Sequence, residues 1–328
     1  MRILVTGGAG YIGSHAVRLF LERGHDVWVY DSLALGHRRS VPAERLIVGD
    51  LSETHRIDHI LVEKRIEAVV HFAAWAAVGE SVQNPAKYYR NNLVHTLNLL
   101  ECLRQAGIAR FVFSSTCATF GAPETMPITE EAPQHPINPY GRTKLAIEHA
   151  LADYAHAYGS SYAALRYFNA SGANAGGAIG EDHDPETHLI PLVIYAAMGL
   201  RPHIEVFGTD YPTPDGTCVR DYIHVDDLAE AHLLALERLQ PSQGMHYNLG
   251  IGRGYSVREV IRTVEEVSGK KVPVKEGPRR AGDPPELVAS SLKIQRELGW
   301  KPRYTELRPI VETAWQWHSK NPKGYRDR

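Results

Sequence analysis

Thr6-Gly7-Gly8-Ala9-Gly10-Tyr11-Ile12-Gly13 decides the fold. The octet follows an apolar run, 2–6, that reads as a strand, and it opens a helical pattern over 11–23. It satisfies G-x-G-x-x-G at Gly8, Gly10 and Gly13, and G-x-x-G-x-x-G at Gly7, Gly10 and Gly13. Glycine permits a tight turn and lets backbone N–H groups come close to a pyrophosphate at the helix N-terminus. Asp31 closes the second predicted strand, 18 residues beyond Gly13. A carboxylate there can accept both hydroxyls of an adenosine ribose and would repel a 2′-phosphate, so the pattern favours NAD over NADP. Asp50, in Val48-Gly49-Asp50-Leu51, suits either the adenine edge or an ordinary turn.

Outward from the octet, strand-like runs at 2–6, 26–30, 45–48, 68–72, 110–114 and 161–167 alternate with helical patterns at 11–23, 53–64, 84–105 and 139–158. Several of the runs are apolar on both faces, as buried parallel strands are. The alternation predicts an α/β fold with a doubly wound parallel sheet of Rossmann type. After about residue 170 glycine, proline and turn sequences become frequent. We therefore expect a dinucleotide-binding domain over 1–170 and a smaller C-terminal α/β lobe over 171–328 that binds substrate, with segments near 217–240 returning to the first domain.

Tyr140 and Lys144 stand at i and i+4 on the predicted helix at 139–158, which begins Asn138-Pro139 and stops at Gly159. Phe113-Ser114-Ser115-Thr116 ends the fifth predicted strand at the ligand edge of the sheet. These groups suit alcohol oxidation, because a carbinol gives up hydride readily only when its proton also leaves. A free Tyr is ~0.1% phenolate at neutral pH, a handicap of roughly 4 kcal/mol. A nearby ammonium and a positive nicotinamide ring both favour the phenolate. Thr116 can bond the reacting oxygen, and Lys144 can also hold the nicotinamide ribose.

Composition excludes other classes. The chain has 328 residues, 43% hydrophobic and 23% charged, which is ordinary for a globular enzyme and unlike disordered or disulfide-scaffold chains. Lys and Arg number 36 against 38 Asp and Glu, with no basic stretch interleaved with aromatics, so a nucleic-acid partner is not expected. No run approaches the ~18 apolar residues of a membrane span. The opening apolar run is too short for a signal-peptide core, and Cys102, Cys117 and Cys218 form no CxxC, so reduced thiols in the cytoplasm are expected. His183 lies near Asp182 and Asp184, but without H-x-x-x-H or paired cysteines no metal is expected.

Together these residues resemble the extended short-chain dehydrogenase/reductase superfamily. Longer strings narrow the resemblance to the UDP-glucose 4-epimerase family, almost end to end. They are His71-Phe72-Ala73-Ala74, Val78-Gly79-Glu80-Ser81-Val82, Tyr167-Phe168-Asn169, the stretch 216–225, Tyr247-Asn248-Leu249-Gly250, Arg279-Arg280-Ala281-Gly282-Asp283 and Trp315-x-Trp317. The resemblance implies a tightly held NAD and inversion at C4 of a UDP-sugar through a 4-keto intermediate that turns over in the site. It assigns NAD contacts to Gly7, Gly10, Tyr11, Ile12, Gly13, Asp31, Asp50, Leu51, Phe72, Ala73, Asn91, Lys144 and Phe168. It assigns UDP-sugar contacts to Thr116, Tyr140, Asn169, Leu189, Phe207, Arg220, Arg280 and Asp283, the arginines being fork-shaped donors for a diphosphate. It also implies a homodimer packed through the helices at 84–105 and 139–158.

The chain departs from the family pattern in places. Thr116 stands where many members have Ser, Ala76 where the usual bacterial form has Lys, and His188 where it has Asn. Leu287 is intermediate between the bulky Tyr of some members and the small residue of others, which leaves hexose, pentose and N-acetylhexosamine substrates open. Dehydratase relatives carry Thr-Asp-Glu where this chain has Thr116-Cys117-Ala118, so elimination has no proton donor here. A non-catalytic NAD sensor would usually have lost Tyr140 or Lys144.

Overall fold

The computed structural model describes residues 1–280 and 282–326. Its first half runs β1 (Arg2–Thr6), α1 (Tyr11–Glu22), β2 (Asp26–Asp31), β3 (Leu46–Val48), α2 (Thr54–Glu63), β4 (Ala68–His71), α3 (Val78–Gln83), α4 (Pro85–Tyr88), α5 (His95–Gln105), β5 (Arg110–Ser114), α6 (Pro139–Tyr158) and β6 (Ser161–Tyr167). The second half adds β7 (Asn169–Ser171), α7 (Leu189–Ala197), β8 (Ile204–Phe207), β9 (Val219–His224), α8 (Val225–Arg238), β10 (Gly244–Leu249), β11 (Gly254–Ser256), α9 (Val257–Ser268), β12 (Val274–Gly277), β13 (Glu286–Leu287), α10 (Leu292–Leu298) and α11 (Leu307–Lys320).

Seven parallel strands form the main sheet in the order β10-β6-β5-β4-β1-β2-β3. The chain winds one way from β1 to β3 and the other way from β4, so the switch point lies between β1 and β4, where open α/β sheets bind ligands. Strand residues alternate between two covered faces. Ile3, Val5, Val27 and Val29 meet Ala16 and Phe20 of α1 and Leu228, Leu233 and Leu236 of α8. Leu4, Val69, Phe111 and Phe113 meet Ile57 of α2, Leu99 and Leu103 of α5 and Ile147 and Leu151 of α6. Phe20 is fully buried, so Phe20→Ala would cost about 3–5 kcal/mol.

Two features differ from the sequence reading. The helix expected over 84–105 is α4, a π-helical turn over Tyr89–Val94, and then α5. Buried Asn92 explains the interruption, because its side chain accepts from Trp75 N and donates to Trp75 O, both at 2.9 Å. Such bulges recur at functional sites, and Asn91 sits on this one. The seventh strand, β10, has no counterpart in the reading, since His246 and Asn248 break its apolar character while Met245, Tyr247 and Leu249 are buried.

The remaining elements build a smaller layer beyond the carboxyl edge of the sheet. Strand β9 is flanked by β11 and β13 and pairs also with β7, while β8 and β12 form a separate parallel pair. Helices α7, α9 and α11 enclose a core of Ile190, Val193, Ile194, Val260, Val264, Ile310 and Val311. Helix α9 opens with a capping box between Ser256 and Glu259 and ends at Gly269 in the left-handed region. Helix α8, strand β10 and the segment at Ile294 and Trp300 pack back onto the main sheet. No helix among the described residues is long and apolar enough to cross a membrane.

Candidate active site

The glycine turn lies at the switch point. Gly7 has φ +71°, and a Cβ there would sit 2.4 Å from Ala73 N, so both conformation and space demand glycine. A Cβ on Gly13 would lie 2.2 Å from the Gly7 carbonyl oxygen, which lets α1 close onto the turn. Gly10 differs, for its Cβ would meet only Gly7 O, at 3.3 Å. Gly10 caps α1 without a side-chain acceptor, and no acid stands in the first turn. Tyr11, Ile12 and Gly13 therefore begin a helix whose amides and positive dipole end suit an anionic group.

Asp31, at the end of β2, accepts from Ala9 N at 2.9 Å and Leu33 N at 2.8 Å, so it braces the turn and keeps lone pairs for a ribose. Burial pushes its pKa up, and the two amides oppose that. Asp50 accepts from the amide and hydroxyl of Ser52 at 2.9 and 2.6 Å. Burial would raise its pKa, but Ser52 and His95 outweigh it and hold the carboxyl low. Leu51 is buried against the α2 layer. Phe72 and Ala73 leave β4 with their amides on Thr6 O, and the Phe72 ring lies 4.7 Å from that of His232. Asn91 donates to Asn92 at 2.9 Å, and Phe168 packs against the cluster of Cys117, Phe120 and Ile128. Ala76 is exposed. The glycine cradle, the uncapped helix end and the ribose-side carboxylate fit an NAD molecule.

Opposite, Tyr140 and Lys144 stand on the first turns of α6, whose N-terminus is closed by Asn138 accepting from Gly141 N at 2.8 Å, with Pro139 at the first position. A Cβ on Gly141 would lie 2.6 Å from Ala118 O, so glycine allows the helix to press on the 117–119 turn that follows Thr116. Burial pushes the Tyr140 phenol up to about 12, against the pull of the Thr116 hydroxyl hydrogen-bonded to it. Burial also pushes Lys144 down to about 7, with Glu148 opposing. The ammonium lies 5.9 Å from the Tyr140 ring centroid and donates to Ser114 O at 2.8 Å. In the chain by itself burial therefore keeps Tyr140 a neutral acid, and of the two charges expected to favour the phenolate only the ammonium belongs to the chain.

Glu148 was not anticipated, although it continues the i, i+4 series through Tyr140 and Lys144. It is buried and takes a forked pair from Arg166 of β6, at 3.0 and 2.6 Å, and a hydrogen bond from Ser115. The pair locks α6 to β5 and β6. Losing one partner of such a pair costs about 3–5 kcal/mol.

The substrate-side residues fall on the smaller layer. Asn169 pairs in register with Tyr222 and donates to Asp221 O at 3.1 Å. Leu287 stands opposite Arg220 in the β13–β9 register and packs with Phe168 and Cys117. Arg220 reaches Asp283 at 3.6 Å, and the Arg280 guanidinium lies 4.5 Å over the Phe207 ring. Leu189 opens α7 and packs into the core of the smaller layer. The structure thus groups Asn169, Arg220, Asp283 and Leu287 around β9 and pairs Arg280 with Phe207. Asp221, also unanticipated, is buried, pushed up to about 7 by that burial, and accepts from Ile251, Ala289 and Gly252 amides, which fixes β9.

A parallel sheet with a glycine turn at its switch point and a Tyr–Lys helix beside it defines a dinucleotide-dependent, short-chain-dehydrogenase type of protein. The NAD dependent epimerase/dehydratase family matches residues 3–250, and the chain belongs to it. It is 48% identical to the UDP-glucose 4-epimerase of Lacticaseibacillus casei over all of both chains. A crystal structure of UDP-glucose 4-epimerase from Brucella ovis in complex with NAD superposes with a TM-score of 0.92 at 50% identity, covering 95% of this chain and 96% of that one. The UDP-glucose 4-epimerase of Bifidobacterium longum, in complex with NAD+ and UDP, gives 0.94 at 38% identity, covering 99% and 100%.

Proposed function

We propose that the chain is an NAD-dependent epimerase that inverts C4 of a UDP-sugar, interconverting UDP-glucose and UDP-galactose. The observation that carries this reading is the buried Tyr140 phenol, which the Thr116 hydroxyl pulls down against its burial, one helical turn from Lys144 on the helix that starts at the same sheet edge as the glycine turn. NAD, when bound, would supply a reversible hydride acceptor for C4 of the sugar. Its positive ring also favours the phenolate that burial alone disfavours.

In this reading Gly7, Gly10 and Gly13 with the Tyr11 and Ile12 amides hold the pyrophosphate, and Asp31 holds the adenosine ribose. Asp50, Leu51, Phe72, Ala73, Asn91, Lys144 and Phe168 line the rest of the cofactor. Tyr140 takes the proton of the C4 hydroxyl and later returns one, while Thr116 bonds the same oxygen. Arg220 and Arg280 grip the diphosphate, and Asp283, Asn169, Leu189 and Phe207 hold the nucleotide and leave the hexose free to turn. The cofactor domain is assigned to 1–170 and the sugar-nucleotide lobe to 171–328, and of the stretch near 217–240 it is α8, joined by β10 and the segment at Ile294 and Trp300, that returns to the first. Exposed Tyr89, Val94 and Tyr158, on and beside the helices at 84–105 and 139–158, support a homodimer through that face. Three buried free thiols support a cytoplasmic location.

The test is interconversion of UDP-glucose and UDP-galactose by purified protein with no added cofactor, using substrate deuterated at C4. Retention of the label at C4 in both epimers is expected. Wash-out of the label into solvent would require a different epimerisation.

A further inference from the structure

The segment between β7 and α7 folds four side chains onto one point, and no part of the reaction above employs them together. Glu181, His183, Glu186 and His188 each bring a donor atom there, all within 4.8 Å of one another. Both imidazoles turn the same nitrogen inward. His188 Nδ1 stands 2.9 Å from Oε1 of Glu186 and 2.9 Å from Oε1 of Glu181. His183 Nδ1 stands 3.3 Å from Glu186 Oε2 and 3.4 Å from Glu181 Oε1. A ring nitrogen has at most one hydrogen, and both are in hydrogen-bond geometry with Glu186. Glu181 Oε1, on a residue only 3% exposed, is met only by these two imidazole nitrogens, and neither contact has hydrogen-bond geometry among the described residues. A buried carboxylate oxygen in that condition is costly unless a cation meets it.

We propose that Glu181, His183, Glu186 and His188 form a binding site for one zinc-type divalent cation, which clamps this segment over the start of α1. Tetrahedral zinc with bonds of about 2.0–2.1 Å separates its donors by roughly 3.3 Å. The imidazole–carboxylate separations above, 2.9 to 3.4 Å, lie close to that spacing, and the four donors together, all within 4.8 Å of one another, need only a small closure to surround one ion. Two imidazoles with two carboxylates suit zinc and its first-row neighbours, whereas calcium and magnesium prefer all-oxygen shells. Burial pulls both imidazoles down, but Glu181 and Glu186 outweigh it and raise them to about 9 and about 10, so without an ion two protons balance the two carboxylates, and a divalent cation would take the place of those protons. The His188 side chain is 46% exposed, which gives the ion a way in. The spacing Glu-x-His-x-x-Glu-x-His matches neither of the patterns sought in the sequence, which explains the expectation of no metal there.

The surroundings say what the clamp would hold. Glu181 O accepts from the Trp317 indole at 3.0 Å, and Asp182 O from His37 Nε2 at 2.9 Å. The Tyr11 ring, first residue of α1, meets His183 edge-on at 6.0 Å, and its hydroxyl donates to Gly172 O at 2.7 Å. His188 is the N-cap residue of α7. The ion would therefore join the C-terminal helix, α7 and the glycine turn through eight residues of chain.

The decisive measurement is metal content of the untagged full-length protein, read by inductively coupled plasma mass spectrometry and independent of any turnover. After stripping with a strong chelator and exposure to about 10 μM free Zn2+, about one equivalent per chain should survive gel filtration, and the thermal midpoint should rise by a few degrees. Glu181→Gln and His183→Asn should each lower the retained zinc at least tenfold. Wild-type protein that retains under a tenth of an equivalent overturns the site, whatever the variants do. So does full retention by the folded double variant.

Discussion

Helices α1 and α6 begin at the same edge of the same sheet, yet their first turns are built in opposite ways. The start of α1 is all backbone: Gly10 offers no capping side chain, and the amides beyond it are left for a ligand. The start of α6 is closed by the Asn138 side chain and Pro139, so nothing is left for a ligand but the side chains it presents. In the proposed reading, the first end binds by being incomplete and the second reacts by being rigid. Gly141 against Ala118, and Glu148 against Arg166, supply that rigidity from two sides.

Four variants press on this contrast. The largest effect belongs to Tyr140→Phe, which should lower turnover about a thousandfold while calorimetry shows UDP binding nearly unchanged. Native-like turnover would mean that α6 is not the chemical end. Next, Gly10→Ser gives α1 the cap it lacks. We expect at least ~tenfold weaker NAD retention with a thermal midpoint within a few degrees of wild type, and undiminished retention would show that the open amides are not the anion site. Third comes the buried ammonium, whose folded value is about 7 against 10.5 unfolded. Between those values the unfolded chain holds the proton and the folded chain does not, so stability rises with pH. The cofactor-free protein should gain about 1–2 kcal/mol from this group between pH 7.5 and 9, a gain absent from Lys144→Met in denaturant melts. Smallest is Asn138→Ala, which should cost about 1 kcal/mol of stability by the same melts.

The main sheet was legible because its strands are short, apolar on both faces and punctuated by glycine. The runs at 2–6, 110–114 and 161–167 coincide with β1, β5 and β6. What escaped depends on contacts distant in sequence. Asn92 breaks a regular helical pattern only because Trp75 lies beside it, and β10 is a strand because β6 offers it an edge. Within the site, Tyr140 and Lys144 stood out by spacing, and the acid at the end of β2 by distance from the glycines. The ionisation state did not, since the depth that raises Tyr140 and lowers Lys144 is a property of packing. Asp221 was hidden likewise, for its three amide donors come from loops far along the chain.

Arg220 is already engaged, 3.6 Å from the carboxylate of Asp283. Capture of a sugar nucleotide is then an exchange of partners, in which the newcomer must displace a resident anion. One carboxylate is a modest competitor for a diphosphate and a serious one for a single phosphoester. If Arg220 grips the diphosphate as proposed, this standing pair favours ligands that bring two phosphates over those that bring one.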